Sequence, residues 1–112
     1  MINLAAGKCV ACRPGEPALT DAEIEGLLVH VDEWQVKEVD GRKRLEKVFK
    51  FKNFTQALEF TTRVGAAAEE EDHHPLLVLE WGKVTLQWWT HTIGGLHKND
   101  FIMAAKSDQL YK

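Results

Sequence analysis

Residues 76–90, LLVLEWGKVTLQWWT, decide the fold of this chain. In the second half of the stretch apolar and polar side chains alternate, with Val84, Leu86 and Trp88 on one face, which is typical of a half-buried β-strand. The first half is a short apolar run, typical of a strand that is covered on both faces. Because Gly82 lies between the two halves, the stretch predicts an antiparallel β-hairpin.

A second hairpin is predicted upstream, at residues 34–51. Side chains alternate on both sides of Asp40-Gly41. An Asp-Gly dipeptide between two alternating segments is a strong signal for a two-residue hairpin turn.

Helical patterns precede, separate and follow the two hairpins. A capping box formed by Thr20 and Glu23 opens the first helix, which is expected to end at about residue 29 or 30. Asn53 caps the second helix, and the third covers about residues 99–110. The order α-β-β-α-β-β-α predicts an α+β two-layer sandwich, in which a four-stranded antiparallel sheet has three helices on one face.

The last two helices each have an apolar stripe that is expected to face the sheet. In the second helix the stripe consists of Phe54, Ala57, Leu58, Thr61, Val64 and Ala68. In the third helix the inward residues are Phe101, Ile102, Ala105 and Leu110. Since residues 76–79 are apolar on both faces of their strand, we also expect a second subunit to cover part of the sheet, giving a homodimer or homotetramer.

Length and composition limit the class of protein. With 112 residues, 45% hydrophobic and 28% charged, the chain is expected to form one soluble domain at residues 19–112, preceded by a flexible segment at residues 1–18. The net charge of −3 disfavours direct binding to nucleic acid. No apolar run is long enough to span a membrane and the N-terminus lacks a signal-peptide pattern, so the expected location is the cytoplasm.

The two cysteines, Cys9 and Cys12, form a single CxxC motif in the N-terminal segment. Such a motif can be half of a zinc site or a redox pair. A zinc ribbon needs a second ligand pair at similar spacing, which the sequence lacks, and a thioredoxin-like motif belongs at a strand-to-helix junction. Free thiols in a mobile segment are therefore the favoured interpretation.

Three histidines are expected to meet at the open end of the second hairpin: His73, His74 and His91. A turn at residues 82–83 places His74 opposite His91, whereas a turn at residues 81–82 places it opposite Trp89. In either register the three imidazoles come together, because side chains of directly opposed residues have Cβ atoms about 5 Å apart.

This convergence favours a functional site, although each histidine alone also has a structural interpretation. The pair His73-His74 follows the acidic run Glu69–Glu71 and could simply cap the end of the second helix. Metal binding is disfavoured, because adjacent residues point their side chains apart and no HxH or HxxxH pair is present. General acid–base catalysis on a small molecule fits better, since imidazole can both give and take a proton near neutral pH.

The motifs around these histidines resemble the pterin-4a-carbinolamine dehydratase family over about residues 19–110. The matching patterns are Glu69-x-x-x-His73-His74-Pro75, Trp81-x-x-Val84-x-Leu86, Thr90-His91-x-x-Gly94-Gly95-Leu96-x-x-x-Asp100 and, upstream, Trp34 with Phe49-x-Phe51-x-x-Phe54-x-x-Ala57-x-x-Phe60. The N-terminal CxxC motif is similar to that of bacterial members.

The resemblance implies an enzyme that dehydrates 4a-hydroxytetrahydropterin to quinonoid dihydropterin. This hydro-lyase reaction recycles the cofactor of aromatic amino acid hydroxylases and needs no metal or organic cofactor, since the pterin is the substrate. The resemblance further implies a functional link to phenylalanine hydroxylase.

The resemblance also implies roles for individual residues. His73, His74 and His91 are expected to be catalytic, with His73 and His91 as acid and base and His74 mainly binding the substrate. The other residues expected to bind substrate are Pro75, Thr90 and Thr92. Asp100 is expected either to orient His91 or only to stabilise the start of the third helix, and Glu69 is either a supporting partner or surface charge.

One departure from the family pattern lies before the third helix. His97 stands where the family often has a Thr or Ser cap, so the cap is expected to move to Asn99 or the helix start to weaken.

The sequence leaves two other functions open. One is a protein-binding module of the same fold, acting in dimerisation or transcriptional co-regulation without catalysis, as the resemblance also implies for some members. The other is a metal-binding protein that uses the histidines and the CxxC motif.

Overall fold

The computed structural model describes residues 3–10 and 13–111. After a short 3₁₀ helix at Leu4–Ala6, the elements are α1 (Asp21–Leu28), β1 (Gln35–Val39), β2 (Arg42–Lys50), α2 (Phe54–Glu71), β3 (Leu76–Glu80), β4 (Lys83–Trp88) and α3 (Lys98–Leu110). The strands form one antiparallel sheet in the order β1-β2-β4-β3. This is the predicted α+β architecture, and β2 and β4 occupy its centre.

The first hairpin has the predicted turn. Val39 pairs with Arg42, so Asp40 and Gly41 are the two loop residues. Their φ angles of 54° and 76° are both left-handed, as a type I′ turn requires. Asp and Gly reach this conformation at low cost, so the local sequence fixes the register of β1 against β2.

The second hairpin has the second of the two registers considered. Glu80 pairs with Lys83, so Trp81 and Gly82 form the turn, and the alternative turn at residues 82–83 is wrong. The Phe51 amide donates to the Gly82 carbonyl oxygen at 2.8 Å. A Cβ atom at Gly82 would lie 3.3 Å from the Phe51 carbonyl oxygen, so this close approach of the turn to the end of β2 favours glycine.

The core lies between the inner face of the sheet and helices α2 and α3. Central strands contribute fully buried side chains, namely Leu45, Phe49, Val84, Leu86 and Trp88. As predicted, residues 84, 86 and 88 share the buried face of β4.

The stripe predicted for α2 is partly wrong. The buried residues are Ala57, Phe60, Val64 and Ala68, whereas Phe54 and Leu58 are 43% and 45% exposed. Phe60 packs against Phe49, with ring centroids 4.6 Å apart, and so defines the inward direction of the helix. Leu58 lies two residues away, roughly 200° around the axis, and therefore points to the outside.

In α3 the predicted inward residues Phe101 and Ile102 are buried, and Ala105 and Leu110 pack partly buried against the core. The predicted shift of the cap to Asn99 is wrong, because His97 itself is the N-cap. Its ring Nδ1 accepts a hydrogen bond from the Asn99 amide at 3.0 Å, as a Ser or Thr hydroxyl oxygen does in other helices.

The N-terminal segment lies against α3. Leu4 is buried in the core, and the Lys106 ammonium group donates to the Ala5 carbonyl oxygen at 2.8 Å. The predicted flexibility of residues 1–18 concerns motion and stays a prediction. Among the helices described, none is both long and apolar enough to cross a bilayer.

Candidate active site

The three predicted histidines line one cavity of about 380 Å³. Its lining residues are Val10, Asp72, His73, His74, Thr90, His91, Thr92 and Asn99. The spatial prediction that position 91 meets the pair at 73 and 74 is therefore confirmed. Five of the lining residues were expected from the sequence, and Val10, Asp72 and Asn99 were not.

One wall of the cavity is the turn that ends α2. Asp72 adopts a left-handed conformation with φ of 50°, and its amide donates to carbonyl oxygens of the last helical turn. The His73 amide also donates back, to the Ala68 carbonyl oxygen at 3.1 Å. This αL cap turns the chain sharply, so that His73 is buried while the neighbouring His74 is exposed. Pro75 comes next but is not among the lining residues, and its contact with substrate stays a prediction.

The opposite wall is the tight loop after β4. The Thr90 amide donates to the Gly95 carbonyl oxygen at 2.9 Å, which closes the loop that contains His91 and Thr92. Gly94 has a left-handed φ of 65°. A Cβ atom at Gly95 would lie only 2.9 Å from the Cβ atom of Ala18. Glycine is therefore favoured at position 94 by its backbone angle and at position 95 by the lack of space for a side chain.

Asp100 binds His73 and not His91, so the expectation that it orients His91 is wrong. Its Oδ1 lies 2.6 Å from His73 Nε2, and its Oδ2 accepts hydrogen bonds from the Thr90 hydroxyl at 2.8 Å and the His97 amide at 2.9 Å. The last bond completes the capping box of α3, so the helix-stabilising interpretation also holds. Asp100 is completely buried, and its oxygens receive three donors.

This arrangement fixes the tautomer of His73. An ionised carboxylate only accepts hydrogen bonds, so the Asp100–His73 contact places the ring proton on Nε2. The second ring nitrogen, Nδ1, is then the atom that can exchange a proton with a ligand. Parallel stacking on Trp88, at 5.8 Å between centroids and 9° between planes, further restricts the ring of His73.

His74 has its own carboxylate partner at the surface. Its Nε2 lies 2.5 Å from Glu69 Oε1, and the two side chains are 53% and 79% exposed. Glu69 therefore contacts a cavity residue. Because water competes at this exposed position, the pair is much weaker than its buried counterpart.

The third wall is formed by the N-terminal segment. Asn99, 2% exposed, holds the backbone of Val10 through two hydrogen bonds: its Oδ1 accepts from the Val10 amide at 3.0 Å, and its Nδ2 donates to the Val10 carbonyl oxygen at 2.7 Å. The amide of Cys9 donates to Glu71 at 2.7 Å. These contacts join residues about 60 to 90 positions apart, and no periodicity in the sequence indicates them.

The hypothesis of a metal site depends on the positions of the metal-binding side chain types in the described residues. In residues 3–10 and 13–111, no group of three or more His, Cys, Asp or Glu side chains is arranged to hold a metal ion. Cys12 lies outside the described residues, so the predicted state of the CxxC motif stays a prediction.

Comparison with known proteins relates this chain to one protein family. The sequence profile of the family described as "Pterin 4 alpha carbinolamine dehydratase" matches residues 17–110. The chain belongs to the pterin-4a-carbinolamine dehydratase family. A Marinobacter nauticus protein named "Putative pterin-4-alpha-carbinolamine dehydratase" is 58% identical over 111 residues, which cover 99% of this chain and 100% of that protein.

Solved structures of related proteins show the same fold. A Brucella melitensis protein described as "transcriptional coactivator/pterin dehydratase" is 34% identical, with a TM-score of 0.77 over 85% of this chain and 99% of that one. A pterin dehydratase-like protein described as a RuBisCO assembly factor of the alpha-carboxysome is 24% identical, with a TM-score of 0.61 over 70% of this chain and 89% of that one. At this identity the second likeness concerns the fold alone.

Proposed function

We propose that this member of the pterin-4a-carbinolamine dehydratase family is an active hydro-lyase that converts 4a-hydroxytetrahydropterin to quinonoid dihydropterin. The observation that carries the proposal is the meeting of His73, His74 and His91 in one cavity. The volume of about 380 Å³ falls within the roughly 300–1,000 Å³ that is usual for small-molecule sites.

The reaction needs only proton transfer, which imidazoles can supply. The C4a–O bond breaks and the hydroxyl group leaves as water after receiving one proton. The N5 lone pair forms the new C4a=N5 double bond, and the N5 proton is then removed. One proton is given and one is taken, and no electrons are exchanged with the protein, so no metal or organic cofactor is needed in this scheme.

The geometry suggests a division of roles among the histidines. His73 and His91 form the acid–base pair, and His73 exchanges its proton through Nδ1 because Asp100 occupies Nε2. His74, whose orientation depends on Glu69, mainly holds the substrate. Thr90 has its hydroxyl committed to Asp100, so it supports His73, whereas the exposed Thr92 contributes to substrate binding.

The direct test is pterin dehydration by the wild type and by single alanine variants of the three histidines. We expect His73→Ala and His91→Ala to lower kcat by about 10²- to 10⁴-fold, the usual contribution of general acid–base catalysis. His30→Ala is a matched control, because His30 is exposed at the end of α1 and does not line the cavity. Full activity in His91→Ala, with folding intact, would contradict the proposal.

A protein-binding role is a second candidate, and the outer face of the sheet favours it. Val48, Leu76 and Val78 are each about 40% exposed on the face opposite the helices. Val48 and Val78 both lie beside Thr85, one on each neighbouring strand, so the three side chains form one row across this face of the sheet. The Brucella melitensis relative, whose description includes coactivator activity, is consistent with a surface that binds protein.

We propose that a second copy of the chain covers this row, as a homodimer or homotetramer. Light scattering after gel filtration tests this proposal. Val78→Lys is expected to give a lower molecular mass than the wild type. The control Lys37→Ala, on the edge strand β1, is expected to leave the mass unchanged. A monomeric wild type would contradict the proposal. The predicted cytoplasmic location and the link to phenylalanine hydroxylase stay predictions.

A further inference from the structure

His91 lacks the support that burial gives to His73. It is exposed, and it sits in a loop of four residues between Thr90 and Gly95. An exposed side chain normally samples several rotamers, and this freedom is lost when it must hold one geometry for catalysis. Something other than burial must therefore orient this imidazole.

The ring of Trp89 provides such a support. The imidazole of His91 stacks on the indole with centroids 4.4 Å apart and 24° between the planes. Favourable contact between two aromatic rings of this kind shifts a rotamer equilibrium by roughly two- to tenfold. Trp89 follows the fully buried Trp88 and is itself half-buried, packed against the edge of the core, so its indole has a fixed place beside the sheet.

Arg44 in turn holds the indole. Its guanidinium carbon lies 3.8 Å from the centroid of the Trp89 ring. The register pairs Leu45 with Trp88, so Arg44 and Trp89 are the next opposed residues, beyond the end of β4. Backbone geometry thus places the cation beside the ring.

The guanidinium group is itself fixed by neighbours on β4 and β2. Arg44 Nη1 donates to the Gln87 side-chain oxygen at 2.9 Å, and the Gln87 amide donates to Glu46 at 2.7 Å. A chain of contacts therefore runs from the rigid centre of the sheet through Arg44 and Trp89 to the exposed imidazole.

We propose that Arg44 and Trp89 are positioning residues, which hold the His91 imidazole at the cavity through a stack of guanidinium, indole and imidazole. The expected effect on kcat rests on the proposed dehydratase function. The expected effect on the orientation of the His91 imidazole does not. Neither residue lines the cavity, so both act through His91.

The kinetic test removes the indole and then restores an aromatic face. We expect Trp89→Leu to lower kcat for pterin dehydration by about two- to tenfold, the factor by which loss of the ring contact shifts the rotamer equilibrium of His91. KM should change by less than about twofold, since neither side chain contacts the substrate in this scheme. Trp89→Phe should recover most of kcat, because a phenyl ring can still stack.

Two further variants separate positioning from general stability. Trp81→Leu removes another tryptophan, 70% exposed at the far end of the hairpin, and is expected to leave kcat unchanged. Arg44→Met keeps the approximate length of the side chain but removes its charge, and is expected to lower kcat by about two- to fivefold, in line with a cation–π contact at a half-buried site. Arg44→Met also serves as the test if Trp89→Leu does not fold.

The decisive comparison is made in a His91→Ala background. If Trp89 acts through His91, Trp89→Leu has no further effect on kcat once the imidazole is gone. An equal loss of kcat in both backgrounds would overturn the inference, and so would a loss that appears only in KM.

The structural test needs no activity, so it separates this inference from the proposed function. NMR of protein with ¹³C- and ¹⁵N-labelled histidine is expected to show one His91 rotamer in the wild type and rotamer averaging in Trp89→Leu. If the wild type does not dehydrate the pterin, the proposed function fails and this experiment alone decides the inference. Identical His91 rotamer distributions in the two proteins would then overturn it.

Discussion

Replacing Asp100 with asparagine tests the central contact of the site with almost no change in shape. The carboxylate receives three donors, from His73, Thr90 and the His97 amide. In Asp100→Asn the amide oxygen can take the position of Oδ2 and still accept hydrogen bonds from the Thr90 hydroxyl and the His97 amide. The amide nitrogen then faces His73 Nε2 and donates to it.

This exchange inverts the tautomer of His73. Nε2 must become the acceptor, so the proton moves to Nδ1, the atom proposed to exchange a proton with the substrate. A neutral imidazole with its proton on the wrong nitrogen cannot accept one there, and we expect kcat to fall by about 10²- to 10⁴-fold.

The effect on stability should be much smaller than the effect on catalysis. Two of the three hydrogen bonds persist without charge assistance and the third reverses direction, so the free energy of unfolding should fall by about 1–3 kcal/mol. In a domain of this size, each kcal/mol lowers the melting temperature by about 4–8 °C. Kinetics of pterin dehydration and thermal unfolding followed by circular dichroism measure the two effects.

Asp108→Asn is the matched control. Asp108 is also on α3, where it accepts hydrogen bonds from the Trp34 indole at 3.1 Å and the Lys47 ammonium group at 2.8 Å, away from the cavity. This variant should lose stability but keep kcat. If Asp100→Asn keeps full activity, or if both variants lose kcat equally, the tautomer argument is refuted.

Three further predictions concern the surroundings of the site and the core. Glu69→Gln should raise KM for the pterin by up to about fivefold with kcat unchanged, because an exposed ion pair contributes at most about 1 kcal/mol to the orientation of His74; a fall in kcat measured in the same assay would contradict this. Phe60→Ala should lower the free energy of unfolding in urea by about 3–5 kcal/mol, whereas Leu58→Ala on the same helix should change it by less than about 1 kcal/mol. Asn99→Ala should speed hydrogen exchange of the amides in the N-terminal segment that it holds, as read by mass spectrometry, and unchanged exchange there would contradict the role of its side chain.

The sequence predicted the elements well where local and tertiary signals coincide. The capping box at Thr20 and Glu23 is present, and the Asp40-Gly41 turn has the backbone angles that its residue types favour. Such features depend on neighbours a few residues apart, so a single sequence contains them. The meeting of the three histidines was also predictable, because a hairpin of known turn position determines which residues come together.

Predictions failed where the answer depends on a distant partner. The sequence could not choose between two turns around Gly82, since the choice depends on contact with Phe51. For Asp100 it offered either the nearer His91 as a partner or a role at the helix start alone, whereas the structure adds His73, 27 positions away. It also missed Val10, whose place in the cavity wall depends on Asn99.

The adjacent residues His73 and His74 show how one backbone turn can place neighbouring side chains in different surroundings. Asp72, in its left-handed conformation, sends the ring of His73 inward to a completely buried carboxylate and leaves the ring of His74 at the surface. A buried pair keeps its geometry, because no water competes for its hydrogen bonds and the local dielectric constant is low. An exposed pair such as His74–Glu69 exchanges partners with solvent at little cost. Since a fixed tautomer favours proton transfer, this contrast supports the proposal that His73 exchanges a proton and that His74 mainly holds the ligand.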